Sequence, residues 1–329
     1  MKNITIILIL VLFYACNQSP KQSDVKQKTQ EQVRLQLPDF DKDSAYYFVE
    51  QQVKFGPRVP NTKAHKACGQ FLINTLERFT DTVMVQNLSI KAYNGTVLNG
   101  QNIIGIFNPD ARKRILLAAH WDSRPYADHD PNPENRRKPI DGANDGASGV
   151  GVLLEIVRQL HIKSPQIGID IIFFDLEDYG EPEGERFTYT GENWCLGSQA
   201  WAKSPHVQNY RAAYGILLDM VGGANAQFAK EDISLRYAPD IVDKIWNTAY
   251  NLGFSSYFQN RESNPITDDH LYINEIRNIP TIDIIEWNPT TGTGFYKYWH
   301  TLNDNLENIS KETLFAVGTV VLSVVYGEK

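Results

Sequence analysis

Apolar and polar positions follow two rhythms along this chain. Runs of strand length recur: "DTVMVQNLSI", "GQNIIGIF", "RILLAAH", "IDIIFFDLE", "AAYGILLDM" and "IPTIDIIEW". They are rich in β-branched and aromatic residues, and Asn94–Gly95 and Asn99–Gly100 add turn signals between the first two. Such runs, bounded by turn formers, predict strands. Other stretches keep a helical period. "ASGVGVLLEIVRQL" places Val150, Leu153, Leu154 and Val157 on one side, and "PDIVDKIWNTAYNLG" opens on Pro239 and stops at Gly253. "SKETLFAVGTVVLSVVYG" follows Ser310, a candidate N-cap. Strands alternating with helices predict an α/β fold, here a single domain with a mixed, mostly parallel central sheet flanked by helices.

The N-terminus breaks this pattern. Lys2 precedes the apolar run "ITIILILVLFYA", which ends at Cys16. A basic residue, a short apolar core and a small residue before a cleavage point predict a signal peptide over 1–15, too short for a membrane span. "LFYAC" resembles a bacterial lipobox, although Phe13 and Tyr14 are bulky for one. On this reading Cys16 carries lipid, and the protein is exported, periplasmic and membrane-anchored. Residues 16–38 are rich in Gln, Lys and Ser and lack the apolar surface to fold alone, so they read as a tether to a folded domain at 39–329. The composition, 42% hydrophobic and 22% charged, is that of an ordinary globular protein. A net charge of −7 argues against a nucleic-acid partner and leaves the lipid as the expected membrane contact. Cys68 and Cys195 could pair in an exported protein, or stay as two separate buried thiols.

The candidate chemistry lies at strand ends, where ligands gather in parallel α/β sheets. Four ends are polar: His120 with Asp122, Glu177 with Asp178, Asp219, and Glu286. The run ending in "FFDLED" raises a physical question, because carboxylates this close resist joint ionisation unless a cation or donor compensates them. Zinc is held by His, Cys and carboxylate ligands, and a catalytic zinc keeps one position open. One member of the Glu177–Asp178 pair could bind a metal while the other stays free as a general base. Asp175 reads as structural. Asp145, in "GANDGASG" before a helix, is either an N-cap or turn aspartate or a ligand with room around it. His300 lies in an aromatic loop, and Asp268, Asp269 and His270 lie in "PITDDHLYI". No serine or cysteine has the spacing of a nucleophile elbow.

"GANDGASG", "FFDLED", "GILLDMVGG", "TDDHLYI" and "YWHTLNDNLENI" occur in this order. Together they resemble the glutaminyl-peptide cyclotransferases, relatives of zinc aminopeptidases, from Gly56 to the last helix. The resemblance implies one zinc per chain on Asp145, Asp178 and His300, with Glu177 as general base and acid. Asp219 and Asp269 would form a hydrogen-bond network beside Glu177. Trp299, and more weakly Trp194, would line the pocket, and residues 181–193 would shape its mouth. Asp178 departs from the animal members, which carry glutamate there. The implied substrates are peptides or proteins with N-terminal glutamine, cyclised to pyroglutamate with release of ammonia. The same residue types also permit a di-zinc aminopeptidase, with His120 and Asp219 holding a second ion and Asp145 bridging; "DDH" and "WHT" lean against it.

Overall fold

A computed structural model describes residues 39–185 and 191–329. The expected signal peptide, Cys16 and the tether lie outside the described residues. Among these residues the strands are β1 (Thr82–Lys91), β2 (Val97–Phe107), β3 (Arg114–His120), β4 (Gly168–Phe174), β5 (Gly215–Asp219), β6 (Phe228–Lys230), β7 (Phe258–Glu262) and β8 (Thr281–Ile285). The α-helices among them are α1 (Lys42–Val53), α2 (Lys63–Phe79), α3 (Ala147–Ile162), α4 (Leu196–Lys203), α5 (Asp232–Tyr237), α6 (Pro239–Asn251), α7 (Asp269–Arg277) and α8 (Lys311–Gly327).

Six strands form one sheet in the order β1-β2-β4-β3-β5-β8, and β6 and β7 make a small separate sheet. β1 and β2 are a hairpin, and β2 pairs antiparallel with β4. From β4 onward, through β3 and β5 to β8, all pairs are parallel. The mixed sheet is therefore parallel in the half that carries the polar strand ends. One turn signal misleads. Gly95, at φ 87°, belongs to the hairpin turn, but Asn99 and Gly100 lie within β2, opposite Ser89 and Leu88. Gly100 is small for a different reason: a Cβ there would sit 2.8 Å from Asp175 Oδ2 and from Leu176.

Every residue of β4 is buried, as a central strand requires. Its side chains alternate between two cores. Ile169, Ile171 and Phe173 join the larger one, with residues of α1, α2, α3, α6 and α8. Ile172 and Phe174 join Trp201 of α4 and Ile273 of α7 on the opposite face. α3 packs so closely on β5 that a Cβ on Gly149 would lie 2.3 Å from the Leu218 carbonyl. This contact brings the start of α3 beside the ends of β3 and β5. The sequence pattern passes over α1 and α2; Cys68, Leu72 and Leu76 are buried at four-residue spacing and carry the signal for α2.

Glu231, the N-cap of α5, is a second organising point. Its carboxylate accepts the N–H groups of Ile233 (2.8 Å), Ser234 (2.7 Å) and Ile266 (2.9 Å) and lies 3.1 Å from His270 Nε2. Burial alone would raise its pKa, but His270 and these amides outweigh burial and hold it at about 2, below the ordinary 4.5. A depressed carboxylate stabilises the fold above its unfolded pKa, and that stability is lost as pH falls from about 4.5 towards about 2. Glu231→Gln should destabilise the protein by on the order of 3 kcal/mol at neutral pH, with the difference from wild type vanishing near pH 2. Urea melts across this range test it; a pH-independent difference would refute the charge assignment.

Candidate active site

Strained turns hold the acidic strand end. Asp122, two residues past β3, is fully buried, and its oxygens accept the N–H groups of Glu177 and Asp178, each at 3.2 Å. Leu176, just before this pair, has φ 61°. Left-handed backbone costs a residue with a Cβ about 1–2 kcal/mol. The turn is locked by Leu196 N–H donating to the Leu176 carbonyl (3.0 Å) and Cys195 N–H to that of Glu177 (2.9 Å). Cys195, Met220 and His300 also have positive φ, at 55°, 48° and 53°. All four positions touch or adjoin the site, where strain of this kind concentrates. Asp175 faces His65 at 2.9 Å and accepts the Gln101 and Leu176 N–H groups, a structural role.

Asp145 precedes α3. Its own N–H and that of Asn144 donate to the two oxygens of buried Asp304 (3.0 and 2.7 Å). Gly146, at φ 94°, leaves no space for a side chain, since a Cβ would meet the Asp122 carbonyl at 2.7 Å.

Asp145, Asp178 and His300 offer ligand atoms within 4.8 Å of one another. His300 Nε2 lies 3.3 Å from Asp178 Oδ1 and 3.6 Å from Asp145 Oδ2, while its Nδ1 faces Asp128 at 3.4 Å. The imidazole thus aims one nitrogen into the cluster, with the other backed by a carboxylate, as in metal-ligating histidines. The shorter Asp178 still reaches, because Asp122 fixes its backbone. Among the described residues neither buried oxygen of Asp178 accepts a hydrogen bond of good geometry; His300 Nε2 and Arg124 Nη1 approach Oδ1 at 3.3 and 3.6 Å. A buried carboxylate is costly, and a cation beside it offsets that cost. Burial, and next Asp145, push Asp178 up to about 6 against the pull of His300. Two carboxylates and one imidazole beside a cavity fit zinc with an open position.

A second set, His120, Asp145 and Asp219, also brings ligand atoms within 4.8 Å of one another. His120 Nε2 lies 3.1 Å from both Asp145 Oδ1 and Asp219 Oδ1. Burial would lower the His120 pKa, but Asp122, Asp145 and Asp219 outweigh it and raise it well above normal. Burial raises Asp219 to about 7 despite His120.

Glu177 stands outside the His300 set. The Cys195 thiol donates to its Oε1 at 3.3 Å, and Asp268 has a carboxylate oxygen within 4.8 Å of both. Burial pushes Glu177 well above the ordinary carboxylate range; His120 opposes this, while Asp178, Asp268 and Asp269 add to it. Cys68 and Cys195 are both free and buried.

A cavity of about 310 Å³ opens onto these groups, walled by Trp194, Trp299, Phe295 and Ile266. Asp145, Glu177, Asp178, Asp219 and His300 all line it. Asp269 does not. The lining carboxylate from "TDDH" is Asp268, the extended N-cap of α7, whereas Asp269 is the first helical residue and is turned inward, fully buried. Glu286 is also absent from the lining and sits against Gly223. Neighbours in a sequence motif face different ways once a helix starts between them, and periodicity cannot locate that start. Asp304, Arg124 and Asp128 were not singled out by sequence; of these, Asp304 carried a signal, as an acid in "WHTLNDN".

Residues 102–325 match peptidase family M28. Among solved structures, a Zn-dependent exopeptidase from Parabacteroides distasonis is 59% identical with a TM-score of 0.87, covering 89% of this chain and 100% of that one. Tannerella forsythia glutaminyl cyclase is 55% identical with a TM-score of 0.86 and the same coverage. The glutaminyl-peptide cyclotransferase of Gloydius blomhoffii is 28% identical over 241 residues, 65% of this chain. The match spans about 61% of the length of that curated relative. The family match covers β3, β4, β5 and β8, part of β2, most of α8 and every proposed metal ligand, and by it the chain belongs to peptidase family M28.

Proposed function

We propose that this protein is a zinc-dependent glutaminyl-peptide cyclotransferase with one zinc per chain. It converts N-terminal glutamine of peptides or proteins to pyroglutamate and releases ammonia. We place it outside the cytoplasm, anchored by lipid on Cys16. One observation carries the reading: Glu177 lines an aromatic cavity beside Asp145, Asp178 and His300 without being one of that set. His120, Asp145 and Asp219, whose ligand atoms also lie within 4.8 Å of one another, are where a second ion would sit.

Asp145, Asp178 and His300 would hold the zinc, which when bound supplies a Lewis acid for the glutamine side-chain carbonyl. The nucleophile is the substrate's own α-amine, with an ordinary pKa of about 7.7–8.0. Glu177 accepts its proton as the new C–N bond forms. It then returns a proton to the side-chain nitrogen as the old C–N bond breaks and ammonia leaves. Asp268 and Asp219 line the cavity close to Glu177's position, where they stabilise the proton it carries. Trp194 and Trp299 hold the flat amide and exclude water. The attack is intramolecular, so this positioning supplies much of the rate enhancement.

The test is mass spectrometry of a Gln-initiated peptide incubated with the protein, with and without a chelator. Chelator-sensitive loss of one ammonia from an otherwise intact peptide is expected. Release of the free N-terminal residue would instead make the protein an aminopeptidase, with His120 and Asp219 engaged on a second ion.

A further inference from the structure

We infer that Arg124 and Asp128 form one buried clamp that holds the metal ligands and the Trp194 wall in a single fixed arrangement; both are positioning residues. The inference rests on the metal reading of Asp145, Asp178 and His300, not on the identity of the substrate.

Arg124 is 1% exposed and spends its whole guanidinium locally. Nε donates to Asp128 Oδ1 at 2.9 Å and Nη2 to Oδ2 at 2.6 Å, a two-pronged pair. Nη1 donates to the carbonyls of Asp178 (3.1 Å) and Gly180 (3.4 Å), and Nη2 also to that of Glu181 (3.1 Å). The guanidinium carbon lies 4.5 Å from the centre of the Trp194 ring. One side chain therefore touches the backbone of a metal ligand, the loop after it and the cavity wall.

Asp128 closes the circuit. Besides Arg124 it accepts the Glu183 N–H at 3.0 Å and faces His300 Nδ1 at 3.4 Å. The next residue, His129, donates its N–H to the His300 carbonyl at 3.1 Å, fixing a backbone with positive φ. The Trp194 ring lies nearly parallel to that of His300, with an interplanar angle of 7°. Gly180 adds a steric condition, because a Cβ there would fall 2.1 Å from the Trp194 ring. The chain between Asp178 and Glu181 thus runs directly against the indole, and the guanidinium fastens both.

A buried ion pair is weak evidence for stability, since apolar packing of equal volume often serves as well. What this pair supplies is geometry. Lysine cannot replace it, because an ammonium is a point charge without the planar fork. A carboxylate behind a ligating imidazole fixes the ring and raises its basicity, and losing such a partner typically weakens metal affinity about 10–100-fold.

The experiment compares wild type, Asp128→Ala, Asp128→Asn, Arg124→Lys and the Arg124→Lys/Asp128→Asn double variant. Zinc affinity is measured by competition with a chelating indicator, the difference in tryptophan emission from a Trp194→Phe background isolates Trp194 among the six tryptophans, circular dichroism reports the fold, and KM is followed separately from kcat. Asp128→Ala should keep its fold and bind zinc about 10–100-fold more weakly. If it does not fold, Asp128→Asn, which keeps the shape, carries the test with a smaller loss in the same direction. Arg124→Lys should shift the tryptophan emission and raise KM several-fold more than it lowers kcat. The double variant should be no worse in zinc binding than its worse single parent, because members of one unit are not additive. Folded Asp128 variants that bind zinc like wild type, or fully additive losses in the double variant, would overturn the clamp. Zinc affinity is read without substrate, so a failed cyclase assay would leave this result standing.

Discussion

Glu177→Gln is expected to lower kcat by about 10²–10⁴-fold, the usual contribution of a positioned general base, while zinc content stays at the wild-type level. Glutamine keeps the size of the side chain but cannot take a proton from the α-amine. The Glu177 carboxylate accepts from the Cys195 thiol and is not among the three residues grouped around His300, so its loss should spare the metal. Its backbone N–H still reaches Asp122 in the variant, as does that of Asp178. KM should therefore change little, since the ground-state contacts of the cavity remain. Steady-state kinetics with metal analysis on the same sample decide the point. Loss of zinc from Glu177→Gln would show that the carboxylate is a ligand, and the division of labour within the acidic pair would have to be reversed.

Asp178→Ala should abolish activity by a different route, through loss of the zinc on dialysis. It carries a second, less obvious expectation. Burial, and next the neighbouring Asp145, disfavour the charged form of Asp178 when no cation compensates it. Metal-free Asp178→Ala should therefore melt at or above metal-free wild type, although the loaded wild type is the most stable of all by linkage. Asp178→Glu should retain zinc, because the fixed backbone of residue 178 leaves the ligand end the main variable. Thermal melts with and without zinc test all three statements. A metal-free alanine variant that melts well below metal-free wild type would show that Asp178 supports the fold itself.

Much of this arrangement is legible in the sequence. The strand ends at His120 and Asp219 and the acidic pair after β4 were readable because a buried strand makes a continuous apolar run, and its polar terminus is conspicuous. Placing His300 beside Asp178 needed the resemblance to a known family, since nothing local ties a loop after β8 to a turn after β4. The choice between Asp268 and Asp269 was not readable, because it depends on the residue at which α7 starts. Arg124 and Asp128 were invisible for a related reason. An arginine in a loop beyond β3, outside any apolar period, gives no sign that its guanidinium will be buried against the Trp194 ring. Such roles come from which loops the sheet order brings together.

That sheet order has a consequence for how the protein matures. Asp145, Asp178 and His300 follow three different parallel strands, β3, β4 and β8, and β8 is separated from β3 in the sheet by β5. No short stretch of chain contains two ligands, so the metal cannot nucleate folding as it does in a zinc finger. Parallel pairing of distant segments must come first, and it is slow because long loops close before contacts reward them. Zinc uptake is then the last event of folding, and a chain that has acquired its ion has already passed its own quality check.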